Sequence, residues 1–111
     1  MNYRFQYRFS KKAEADLDEI LSYISIELSN SDAASSFLKD LQTVIDSICA
    51  IPKMGRIVEN EFLPDREERK SLVGNYILYY LPDTKEKIIY ILRILYERRS
   101  LDELVREINN F

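Results

Sequence analysis

Asn75-Tyr-Ile-Leu-Tyr-Tyr80 followed by Lys87-Ile-Ile-Tyr-Ile-Leu-Arg-Ile-Leu-Tyr96 is the stretch that decides the fold. Both runs are β-branched and aromatic. Between them lies Leu81-Pro82-Asp83-Thr84-Lys85-Glu86, whose Pro-Asp pair favours a turn, so the stretch predicts a β-hairpin. Its second strand is apolar on both alternating sets, with Ile88, Tyr90, Leu92 and Ile94 on one and Ile89, Ile91 and Leu95 on the other. A strand apolar on both faces lies inside a layered structure and needs a cover on each side. Arg93 interrupts this run and requires either an acidic partner or the sheet edge. The hairpin leads into Glu97-Arg98-Arg99, where two guanidinium groups stand side by side.

Working outward, Tyr3, Phe5, Tyr7 and Phe9 alternate with Arg4, Gln6 and Arg8, which predicts a strand with one aromatic face. Ser10 is placed to cap a helix in which Ala13, Leu17, Ile20, Leu21, Ile24 and Leu28 form the apolar stripe. Glu14, Asp16, Asp18 and Glu19 crowd its early turns as a solvated, dipole-favoured face. Ser29-Asn30-Ser31-Asp32 breaks the pattern and offers the next cap. A second helix follows, with Phe37, Leu41, Val44, Ile45 and Ile48 inward and Cys49 beside them, and Pro52 and Gly55 signal its end. So short a turn makes the two helices an antiparallel hairpin. Arg56-Ile-Val-Glu59 begins a short strand or loop, Pro64 to Lys70 is a charged connection, and Ser71-Leu72-Val73 reads as an edge strand. Ser100 caps a short C-terminal helix carrying Leu101, Leu104, Val105 and Ile108. The order β-α-α-β-β-β-α predicts an α+β fold, an antiparallel sheet with the helical hairpin on one face. The other face then takes the C-terminal helix or a partner chain. One domain accounts for residues 1–111.

Composition narrows the chemistry. The net charge of −3 argues against coating nucleic acid by charge alone. Residues 1–50 hold five Lys and Arg against eight Asp and Glu, whereas residues 51–111 hold eleven of each, so a local cationic site belongs in the second half. The chain has no histidine and one cysteine. Zinc sites of the common kinds, Ser-His-Asp triads and Cys-His pairs therefore drop out. Neither metal nor cofactor is expected. No apolar run approaches a membrane span and the N-terminus lacks a signal peptide's apolar region, which predicts a cytoplasmic protein.

Arg98 and Arg99 are either solvated surface charges or an anion-binding pair. Lys53, Arg56, Arg69 and Lys70 are cations on loops and edges that could converge with them, or pair with Glu59, Glu67, Glu68 and Glu97. Tyr96, next to the arginines, is either amphipathic packing or a group that stacks on a base or donates its phenolic proton.

Ala13-Glu-Ala-Asp-Leu17 with Ile20 and Tyr23-Ile24, then Pro52 with Gly55-Arg56, Asn75-Tyr76, and Ile94-Leu-Tyr-Glu-Arg98 stand in an order that resembles the RelE/ParE superfamily of bacterial toxins. The resemblance spans about residues 3–105 and is nearer the ParE branch. It implies the toxin of a type II toxin–antitoxin (plasmid stabilisation) module that arrests growth by poisoning DNA gyrase. It also implies a cognate antitoxin as neutralising partner and a hetero-oligomer with it. The surplus apolar face, with Tyr90, Leu92 and Ile94, is the expected antitoxin surface, and Arg98, Arg99 and Leu101 the target surface. The RelE branch gives an alternative, a ribosome-dependent mRNA endonuclease, in which Lys53, Arg56, Arg69, Tyr96 and Arg98 form the catalytic cleft and Glu61 is a further acid–base candidate. Tyr96 and Ser100 stand where ParE-like chains often carry histidine and aspartate. That leaves a third reading, a non-toxic module that only binds antitoxin.

Overall fold

Ser10 joins the first strand to the first helix and ties both to the sheet. Its Oγ accepts from the Ala13 N–H at 3.0 Å, and so caps the helix, while donating to the Leu92 carbonyl at 2.8 Å. Its N–H donates to the Ile91 carbonyl at 2.9 Å. The computed structural model, which describes residues 4–58 and 67–98, runs β1 (Gln6–Phe9), α1 (Lys11–Ser22), a π-helical turn (Tyr23–Glu27), α2 (Ser31–Ala50), β2 (Arg56–Ile57), β3 (Arg69–Val73), β4 (Tyr76–Asp83) and β5 (Ile88–Tyr96). Asn30 caps α2 by accepting from the Ala33 N–H at 3.0 Å. The expected C-terminal helix from Ser100 lies outside the described residues.

The five strands lie in the order β1-β5-β4-β3-β2. β2 to β5 are antiparallel neighbours, but β1 pairs parallel with β5, Gln6 opposite Ile88 through Phe9 opposite Ile91. The sheet is therefore mixed rather than antiparallel. The α1–α2 hairpin carries the chain over one face and delivers it to the far edge, from which β3–β5 return as a meander to β1. Strand periodicity carries no information on neighbour or direction. Ser71–Val73 is the outer edge expected of it, paired with β4 alone among the described residues, but β3 starts earlier, at Arg69 and Lys70, which β2 flanks. In the hairpin, Asp83 Oδ1 accepts from the Lys85 and Glu86 N–H groups at 3.1 and 3.0 Å, and Lys87 takes φ 57°.

Tyr79 is opposite Arg93 but Tyr80 is opposite Ile91, so Leu92 is an extra residue, a β-bulge. The bulge moves the side chains after it to the other face. Ile89, Ile91 and Ile94 all join the core beneath the helices, with Leu78, Tyr80, Phe37, Leu41, Ile45 and Ile48. Ile77, Tyr79 and Leu95 form a second cluster on the opposite face, with Val58 and Leu92 against it. The single face expected for Tyr90, Leu92 and Ile94 thus does not exist: Ile94 is 1% exposed, on the helical side.

The π turn has a similar effect on α1. The Leu28 N–H donates to the Tyr23 carbonyl at 3.1 Å, five residues back, which widens the turn and rotates the side chains beyond it. Ala13, Ile20 and Ile24 are buried as their spacing predicts, but Leu28 is 55% exposed.

Candidate functional site

The turn after α2 is held from beneath by two side chains of the sheet. Tyr80, wholly buried, accepts from the Gly55 N–H at 2.9 Å and donates to the Pro52 carbonyl at 3.1 Å. Burial pushes its phenol above the usual value, partly offset by the Gly55 N–H and the nearby Arg69 charge. Arg69 Nη1 donates to the Lys53 and Gly55 carbonyls at 3.1 and 2.7 Å. Gly55 is required by proximity: a Cβ there would sit 2.5 Å from the Tyr80 oxygen and 2.7 Å from the Lys70 carbonyl. The Pro52–Arg56 segment is consequently fixed, and it presents Lys53, Met54 and Arg56 to solvent.

Arg69, proposed from sequence as a cleft cation, is instead a buried staple, 9% exposed, and its Nε has no acceptor among the described residues. Tyr96 and Arg98 are elsewhere. Arg69 pairs with Tyr80 whereas Tyr96 pairs with Tyr76, so two strand spacings and roughly 13 Å of strand rise separate the cation group from Tyr96. Arg98 is exposed beyond the end of β5. The five candidates do not converge on one cleft. Arg99, Leu101 and Glu61 lie outside the described residues.

At the β5 end the sheet and α1 frame a groove of about 890 Å³. Its helical wall is Ile20, Tyr23, Ile24, Ile26 and Leu28, and its sheet wall includes Tyr76, Ile94 and Tyr96. Tyr76 meets Tyr96 edge-on at 5.6 Å and Phe37 at 5.1 Å. Burial first, then the neighbouring Tyr23 and Tyr96 hydroxyls, push the Tyr76 phenol above its usual value. Tyr23, Ile26, Leu28 and Tyr96 are 51, 71, 55 and 42% exposed, a dense apolar surface on one side of the molecule.

Asp16 and Arg93 brace this groove. Arg93 donates from Nε to Asp16 Oδ2 at 2.8 Å and from Nη2 to Oδ1 at 3.1 Å, and the Ile94 N–H donates to the same carboxylate at 3.0 Å. β1 pairs with β5 only as far as Ile91; beyond it, Ser10 and Asp16 satisfy the open edge. Arg93 thus meets both an acidic partner and the edge, while Asp16 departs from the solvated acidic face expected of it. The signal was present: Asp16 shares the helical face of Ala13, Leu17 and Ile20, where a carboxylate requires a partner. The Tyr23–Leu28 wall was missed because nothing in its spacing marks a π turn.

A family model described as ParE toxin of type II toxin–antitoxin system, parDE, matches residues 7–101. Toxin ParE1 of Mycobacterium tuberculosis is 33% identical over 97 residues, covering 87% of this chain and 94% of that protein. Toxin ParE1 of Caulobacter vibrioides is 31% identical over 86 residues, covering 78% and 85%. Among solved structures, the fold matches a chain of the chromosomal ParDE TA system from P. aeruginosa with TM-score 0.65 and 21% identity, over 86% of this chain and 98% of that one. A chain of the RelBE2 toxin–antitoxin complex of Mycobacterium tuberculosis matches with TM-score 0.60 and 17% identity, over 84% and 98%.

Proposed function

This chain belongs to the ParE toxin family of type II toxin–antitoxin systems, and from that premise we propose that it arrests growth by poisoning DNA gyrase until a cognate antitoxin neutralises it. The observation that carries the choice of target is the dispersal of the candidate catalytic groups. Cleavage of RNA through its 2′-hydroxyl needs a base, an acid and cations around one phosphate. Here Arg69 is committed to the Pro52–Gly55 turn, Lys53 and Arg56 lie beside it, and Tyr96 and Arg98 stand at another part of the sheet. The chain also lacks histidine, and lysine and tyrosine titrate far from neutrality.

A gyrase poison requires no proton transfer, only a surface that traps the enzyme on cut DNA. The exit of β5, with exposed Arg98 followed in sequence by Arg99 and Leu101, is the proposed surface, with the helical hairpin beside it. The groove opens next to it at Tyr96, so an antitoxin segment seated there hides the β5 exit by bulk. Tyr90 and Leu92, on the face away from the helices, offer the same segment a continuation.

Induced expression should stop growth, and co-expression of the small protein encoded beside this chain should restore it. Lys53→Ala and Arg56→Ala should remain toxic, whereas Arg98→Ala should lose toxicity. Loss of toxicity in the first two with site-specific cuts in ribosome-bound mRNA would transfer the reading to an endonuclease. Antitoxin binding without growth arrest would leave a binding module.

A further inference from the structure

The β2 edge holds a charge pattern that the fold itself does not need. Arg56 and Lys70 stand directly opposite each other across β2 and β3, and like charges so placed repel and weaken the ladder. Both are exposed, as is Lys53 on the pinned turn that leads into β2. Among the described residues none of the three is in an ion pair, and the nearby Glu68 already has an interaction of its own. Beneath the turn, Arg69 adds a buried positive charge that donates only to backbone carbonyls among the described residues and leaves Nε without an acceptor. Ile51, Met54 and Ile57, all exposed, are interspersed with these cations. Such a surface suits a guest that is anionic and also has apolar groups to bury. A polypeptide with Asp or Glu beside apolar residues meets both conditions, whereas a phosphodiester backbone offers nothing to Ile51, Met54 and Ile57. Tyr80 and Arg69 already fix the turn, so little order is lost when the guest binds.

Building on the toxin reading, we propose that an acidic segment of the antitoxin, separate from the one in the groove, docks along the β2 edge, with its carboxylates on Lys53, Arg56 and Lys70 and its apolar side chains on Met54 and Ile57. The carboxylates relieve the repulsion between Arg56 and Lys70, so the free chain bears a local cost that the complex removes. The edge is remote from the β5 exit, so it serves neutralisation and not toxicity.

The test compares the unaltered chain with Arg56→Glu and with the triple variant Lys53→Glu/Arg56→Glu/Lys70→Glu, each titrated with a cognate antitoxin by isothermal calorimetry at low and high salt. Arg56→Glu should weaken binding about fivefold and the triple variant about thirtyfold, and both losses should shrink at high salt. Without antitoxin, Arg56→Glu should melt about 2 °C higher, because a carboxylate then faces Lys70, while the triple variant, with like charges opposite again, should melt close to the unaltered chain. Both variants should still arrest growth. Carbodiimide coupling of the unaltered complex should join Lys53 or Lys70 to an antitoxin Asp or Glu. Unchanged antitoxin affinity in the triple variant, while the unaltered chain binds, would overturn the site and spare the toxin reading. Failure of the antitoxin to bind the unaltered chain would bring down both. Loss of growth arrest in the triple variant at unchanged antitoxin affinity would give the edge to the target. Binding of a duplex oligonucleotide that the triple variant abolishes, again at unchanged antitoxin affinity, would give it to nucleic acid, and either result overturns the proposal.

Discussion

Removing the Asp16 carboxylate should cost this fold about 3 kcal/mol, and the structure allows that figure to be divided. Asp16→Ala deletes two contacts to the Arg93 guanidinium and one from the Ile94 N–H. The Arg93 side chain is 26% exposed and recovers part of its hydration. The Ile94 amide belongs to a residue that is 1% exposed and has no such recourse. An orphaned buried amide costs about 1–3 kcal/mol, and a lost charge-assisted bond about 1.5–3 kcal/mol. Asp16→Asn keeps an oxygen for the Ile94 N–H and loses only the charge, so it should cost about half as much. Arg93→Leu strands a carboxylate that is 11% exposed and should cost about 2–3 kcal/mol. The double variant Asp16→Ala/Arg93→Leu should fall short of the sum by about 1–2 kcal/mol. Urea denaturation followed by circular dichroism reads all four values. For a chain of this size the Asp16→Ala loss corresponds to about 12 °C in melting temperature. An Asp16→Ala protein within about 0.5 kcal/mol of the unaltered chain, or strict additivity in the double variant, would refute the bracing role.

Gly55→Ala should destabilise by about 1–3 kcal/mol, since the Lys70 carbonyl at 2.7 Å is backbone and cannot step aside; pairing it with Tyr80→Phe should recover part of the loss in the same urea assay, because the 2.5 Å contact is with the Tyr80 oxygen. Ser10→Ala removes both the cap to Ala13 and the bond to Leu92, and should cost about 1–2 kcal/mol, measurable by thermal melting. Alkaline pH should destabilise the fold. Cys49, Tyr76 and Tyr80 all titrate higher in the folded protein, chiefly through burial, so the unfolded chain releases their protons first. Their stabilisation is then intact below pH ~9 and lost progressively as pH rises through ~9–10 and beyond. Urea midpoints from pH 8 to 11 should fall, and Tyr80→Phe should flatten the decline above pH ~10.

The β4–β5 hairpin, the α1–α2 hairpin and both caps were legible because period and cap chemistry are local properties. Three features were not, each for a definable reason. The bulge at Leu92 is silent, since an apolar strand reads the same with one extra residue, yet it decides that Ile94 lies under the helices. The π turn at Tyr23–Glu27 hides within an apolar helical stripe, and it exposes Leu28. The parallel pairing of β1 with β5 depends on where the helical hairpin delivers the chain, which no strand records. Of the candidate site residues, Tyr96 ends β5 and Arg98 follows it, exposed, as the strand pattern places them. Arg69 has the composition of a catalytic cation and the hydrogen bonds of a structural one. Gly55 read as a helix stop, while its main constraint is the tyrosine oxygen packed against it.

Gyrase poisoning is read directly by combining purified gyrase, relaxed plasmid, ATP and this protein, with and without a cognate antitoxin. Supercoiling should be inhibited and cleaved plasmid should accumulate, both reversed by a stoichiometric amount of antitoxin. Unaffected supercoiling with no cleaved plasmid, at concentrations that arrest growth, would contradict gyrase poisoning.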